Sequence, residues 1–90
     1  MTDQVVGAAA ARGLHANARS AHALVVWVVT RDPPEHPDRV VARLVTETPS
    51  SYVLVADTLA EIHAQLPAEL VCAQRQSTDP PEVVEIWFPP

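Results

Sequence analysis

The chain predicts an α+β domain in which an antiparallel sheet of four to five strands, in βββαββ order, carries one short helix on one face. Two observations point there. Valine-rich segments precede and follow a single helical stretch, and that stretch has both its start and its stop written in its residues.

Residues 1–22 differ from the rest. They are rich in alanine and, apart from Val5, Val6 and Leu14, lack the larger apolar residues that fill a core. Alanine's helix propensity supports two broken helical turns here, and a flexible tail fits the composition equally. The domain is therefore expected to span residues 23–90 and to survive removal of residues 1–20.

Leu24 to Thr30 reads as the strongest strand, apolar on both faces like a central strand covered on both sides. Asp32 to Asp38, with Pro33, Pro34 and Pro37, is an acidic, turn-rich loop. In the next strand, Arg39 to Thr46, Val40, Ala42 and Leu44 share one face, while Arg39, Val41, Arg43 and Val45 share the other. Thr48 to Ser51 is a tight connection, and Tyr52 to Ala56 completes a three-stranded meander.

The helix follows without a linker. Thr58 and Glu61 form a capping box, with Asp57 as an alternative cap, and these acids suit the positive end of the helix dipole. Leu59, Ile62 and Leu66 make its apolar stripe. Pro67 ends it after about three turns, too few to be stable without a sheet to pack on. Leu70 to Gln74 then reads as a fourth strand, Ser77 to Pro81 as a turn, and Val83 to Phe88 as a fifth strand. In that last strand Val84, Ile86 and Phe88 are expected to face the core, with Trp87 on the other side.

Composition narrows the function. The net charge is −5, and all six basic residues are arginine, which disfavours nucleic acid because a phosphate-tracking groove needs a clustered positive face. Cys72, the single cysteine, cannot form an internal disulfide; a reducing cytoplasm and a role as a small buried hydrophobe are expected. No apolar run approaches the roughly 20 residues of a membrane span. Asp3 and Arg12 stand where a secretory signal would need positive and apolar residues respectively. A 90-residue domain buries only about 60–65% of its unfolded surface, so self-association would widen a thin stability margin.

No constellation for chemistry emerges. His15, His22, His36 and His63 lack the close pairing of zinc ligands, and the acids Asp32, Glu35 and Asp38 are spaced by prolines in a solvated loop. Cys72 could meet His63, and Ser50 and Ser51 lie in a turn, but no glycine-rich turn accompanies them; Gly7 and Gly13 are both in the tail. Catalytic, cofactor-binding and metal-binding residues are accordingly not assigned, no cofactor is expected, and the chain does not read as an enzyme.

What remains is surface. Trp27 and Trp87 are the large amphipathic aromatics, and if their strands are neighbours they share the sheet face opposite the helix, near Val25, Val29, Val41 and Val45. Ordinary core is the alternative for Trp27. One helix cannot cover both faces of a sheet, and an apolar opposite face is a partner site. Trp27, Val41, Val45 and Trp87 are thus the expected interaction surface, with a homodimer or another protein as partner; an exposed strand edge is a second route to the same end.

Trp27-Val-Val, Pro37-Asp-Arg-Val-Val-Ala-Arg43, Val53-Leu-Val-Ala-Asp-Thr-Leu-Ala-Glu-Ile62, Gln65-Leu-Pro67 and Asp79-Pro-Pro-Glu-Val-Val-Glu-Ile-Trp87 resemble a group of short bacterial proteins without an assigned function. The resemblance covers residues 24–88, leaves the tail outside, and implies a free-standing bacterial domain with no activity attached. Separately, Ala56-Asp-Thr-Leu-Ala-Glu61 is similar to the Asp-Thr-x-x-Glu that opens the helix of HicB-type antitoxins, whose partial ribonuclease-H-like fold runs three strands, helix, strand. It implies a regulator that binds a toxin and operator DNA, although the glycines and proline of that family's preceding turn are missing here. The expected function is a cytoplasmic, non-enzymatic protein-interaction domain that self-associates. The alternatives are the antitoxin-like regulator and a metal-dependent small-molecule binder or enzyme.

Overall fold

The computed structural model describes residues 3–73 and 82–90; the turn read at residues 77–81 and the end of the fourth predicted strand at Gln74 lie outside them. The elements are β1 (Gln4–Val5), α1 (Ala8–Ala21), β2 (Val26–Arg31), β3 (Val40–Val45), β4 (Pro49–Ala56), α2 (Leu59–Gln65), β5 (Val71–Ala73) and β6 (Val83–Phe88). The strands form one six-stranded sheet in the order β1-β4-β3-β2-β6-β5. The fold is α+β with a mostly antiparallel sheet, as the sequence predicts, but it has a sixth strand, a second helix and one parallel pair, β1 with β4.

Strand direction explains where the helices go. Counting the pairings across the sheet, β1, β4, β2 and β5 all run one way, and β3 and β6 run the other. Helix α1 links β1 to β2 and α2 links β4 to β5, so both are crossovers between parallel strands that step in the same direction along the sheet. Crossovers of one hand stepping in one direction must pass over the same face. Both helices do: Ala11 and Ala18 of α1 and Ile62 of α2 join one core with Trp27, Val29, Val40, Ala42, Leu44, Leu54 and Ala56 of the sheet.

Two expectations change. Residues 4–21 are not a tail: they form β1 and a 14-residue helix, with Ala11 wholly inaccessible to solvent and His15 and Ala18 buried. Small side chains do not fill a core by volume, but they let a helix axis come close to a sheet whose bulk is supplied from the other side, here by Trp27. The second change concerns the last strand. Trp87 lies opposite Trp27 on the helix-covered face, while Ile86 lies opposite Val28 on the other. The register between β2 and β6 shifts between Val29 and Thr30, leaving Val84 as the extra residue, so Val84 packs on the core but Ile86 and Phe88 do not follow it.

Helix α2 starts as predicted. The Thr58 hydroxyl accepts from the Glu61 amide at 3.2 Å and donates to the Glu61 carboxylate at 3.1 Å, so that carboxylate turns onto the cap side chain rather than back to the first amide. Asp57 leaves the cap to Thr58 and pairs with Arg39. Thr58→Ala is expected to cost about 0.5–2 kcal/mol in urea unfolding. Deletion of residues 1–21, which removes Ala11, His15 and Ala18 from the core, should abolish the cooperative transition altogether; a truncated chain that still unfolds cooperatively would refute the packing role assigned to α1.

Candidate functional site

Because both helices sit on one face, the other presents strand residues and, at one end, the segments that carry Asp3 and His36. Its central row runs Arg43, Val28, Ile86, Ala73 across β3, β2, β6 and β5, extended on β4 by Val53. A second row carries Val45 beside Val26 and Phe88 beside Val71. Val41 and Val55 face the same way beyond the first row. None of these side chains is acidic, and Arg43 is the one charge among them. Val26, Val28, Val45, Ile86 and Phe88 are half-buried, and Val71 on the edge strand is 43% exposed.

The four residues picked out by sequence are divided by the sheet. Trp27 is wholly buried on the helix-covered face, and Trp87 packs beside it, half-buried. Val41 and Val45 lie on the open face, Val41 at 2% exposure and Val45 half-exposed at its lower edge. Sequence reasoning missed Val26, Val28, Ile86 and Phe88. Alternation does group Val26 with Val28 and Trp27 with Val29, but it does not say which group the helices will cover. The available clue was the indole N–H of Trp27, which needs a buried partner; it donates to His15 Nδ1 at 3.1 Å.

Arg43 does not stand bare on the open face. Its guanidinium lies 2.9 Å from the Asp3 carboxylate and donates to the Ser50 carbonyl at 2.8 Å, and His36 from the β2–β3 loop reaches the same carboxylate at 3.1 Å. Asp3 ionises more readily than usual: burial opposes this, but hydrogen bonds from Arg43 and His36, and their charges, outweigh it. The loop residue before β1 and the loop after β2 thus meet over the end of the face where Val41 and Val53 are buried. The loop's left-handed turns fall on Asp32 (φ 54°) and Asp38 (φ 63°), joined by the Asp38 amide donating to Asp32 Oδ1 at 2.7 Å.

A second polar cluster lies under α2. Glu85 takes His63 at 2.7 Å and the Trp87 indole N–H at 3.0 Å, with the imidazole edge-on to Trp87 at a centroid distance of 5.1 Å. Cys72 shares this face, opposite Trp87 in the β5–β6 ladder, and is exposed rather than buried as the sequence suggested. Its thiol is pushed up, first by desolvation and then by the charge and hydrogen bond of Glu85. A carboxylate therefore stands where a nucleophilic cysteine needs a cation or an imidazole, and the arrangement suppresses the thiolate.

The histidines are dispersed, each on its own partner: His15 on Trp27, His22 on Glu47 at 2.7 Å, His36 on Asp3 and His63 on Glu85. Among the described residues no three of His, Cys, Asp and Glu converge as metal ligands, and no helix is long and apolar enough to cross a membrane. Comparison with protein-family models, with curated proteins and with solved structures returned no match.

His15 is held below its ordinary value of 6.5, first by burial and second by the Arg19 cation. Between the folded and the unfolded value the unfolded chain binds more protons. The stability that neutral His15 contributes is therefore complete above about pH 6.5 and is lost as pH falls below it. Wild-type protein should lose more melting temperature between about pH 8 and about pH 5.5 than His15→Gln, which keeps an acceptor for Trp27 but does not titrate. Parallel pH profiles for the two proteins would sink this assignment.

Proposed function

We propose that this chain is a non-enzymatic protein-interaction domain that docks through its open sheet face. One observation carries the reading: Val26, Val28, Val45, Ile86 and Phe88 form a contiguous apolar surface across the strands, and both helices lie on the opposite side. A patch of this kind on an isolated domain marks a contact surface. The polar clusters support the reading from the other direction. Arg43 is neutralised within the chain, and Glu85 beside Cys72 disfavours its thiolate.

The face contributes to binding more than to the fold of the isolated chain, so conservative polar substitution there has a distinct signature. Val28→Thr keeps β-branching and should change unfolding free energy in dilute solution by less than about 1 kcal/mol. A photo-crosslinking phenylalanine analogue at Val45 should capture a protein on irradiation in the native host, whereas the same group at Arg12, exposed on α1, should not. Equal capture at the two positions counts against a docking role for the face.

A further inference from the structure

We infer that the occupant of the open face is a second copy of this chain, packed sheet to sheet about a two-fold axis close to Val28. This rests on the docking reading above and names its partner. Charge is the first argument. Each copy carries −5, a general opposition to self-contact, yet among the described residues no strand side chain pointing to this face is acidic, and the one strand cation there, Arg43, is paired with Asp3 in the same chain. Two copies can meet here without bringing like charges together, and no unpaired charge asks for a partner of opposite sign.

Shape is the second argument. The middle of the face is a sheet of valines with Ile86 and Phe88, and its described cleft lies at the end of the sheet rather than among these side chains. The natural complement of a twisted apolar sheet is another such sheet, about 10 Å away with strands about 30° apart. In an isologous contact each copy supplies the same patch, and the assembly closes at two.

Area sets the size class of the contact. At about 4.8 Å between strands and about 3.3 Å per residue, the uncovered four residues of each of β2, β3 and β6 and the three of β5 give roughly 250 Å² per copy in projection, before side-chain relief is counted. Leu24, Pro89 and Pro90 continue the surface past the end of the sheet, beside a cleft of about 470 Å³ that Val26 and Phe88 share with Arg19 and His22. The total lies at or below the small end of specific interfaces, where about 1,200 Å² marks the lower bound. The dimer is accordingly a weak, reversible one.

The test is sedimentation velocity of the full chain from about 5 to about 500 µM, with irradiation of the Val45 crosslinker variant at the upper concentration. The expected results are a concentration-dependent shift from monomer to dimer and a covalent adduct of twice the 9.7 kDa chain mass at Val45 but not at Arg12. The double variant Val26→Thr/Val28→Thr should raise the dissociation constant at least about tenfold, because each hydroxyl is buried without a partner, while its melting temperature at about 5 µM matches wild type. A monomer throughout, with the Val45 variant capturing a protein of different mass in the native host, overturns the second copy and leaves the docking reading standing. A monomer with no adduct under either condition overturns both. A dimer that is insensitive to the double variant, or that crosslinks through Arg12, overturns the assignment to this face.

Discussion

The hydrogen bond from the Trp27 indole to His15, at 3.1 Å, is the constraint around which the rest is arranged. Trp27 sits near the start of the inner strand β2 with no exposed surface, so its N–H cannot be left to water, and an unpaired buried donor would cost about 1–3 kcal/mol. The acceptor comes from α1. It is the Nδ1 of His15, which accepts only while unprotonated, and the bond ties the height and rotation of the helix to the tryptophan. The residues one turn to either side, Ala11 and Ala18, are then buried, because any larger side chain there would hold the helix away from the tryptophan. Trp27 fills the space that the alanines leave.

That bond gives α1 its place; strand direction gives it its side. With β1, β2, β4 and β5 all parallel, both connections that pass through a helix step the same way across the sheet, and a common hand sends them over a common face. The asymmetry of the molecule follows. One face receives two helices, while the other is left with valines that alternate out of β2, β3 and β4. The open surface is thus a consequence of connectivity, since the residues on it are no less apolar than those under the helices.

Much of this was legible in the sequence, and the parts that were not share a cause. The valine runs, the proline-rich loop at residues 32–38, the Thr58 cap and the Pro67 stop are local signals, and each matches an element end in the structure. Composition allowed helical turns in the alanine-rich segment, but not its packing on the sheet, which rests on a contact with a residue twelve positions away. Trp87 was assigned to the wrong side for a related reason. Alternation fixes which residues of β6 travel together, but the displaced register beside Val84 and the partner strand decide where they point. For the open face, the pattern grouped Val41 with Val45, and both point away from the helices. It placed the tryptophans there because they are the most recognisable candidates for a surface, whereas a large side chain with a single donor is equally suited to a core that supplies an acceptor.

The N-terminal segment ties these threads together. Asp3 neutralises Arg43 on the open face, and five residues further on the chain enters the helix that covers the opposite face. One short segment therefore acts on both sides of the sheet: Gln4 and Val5 pair with Tyr52 and Val53 at its edge, Asp3 turns to one side and α1 to the other. An arginine amid valines would oppose any apolar contact unless its charge were answered nearby. Because the answering carboxylate belongs to the segment that also carries His15, the apolar character of the open face and the packing of the closed one depend on the same stretch of chain. The sequence that looked dispensable by composition is the part that makes the two faces different.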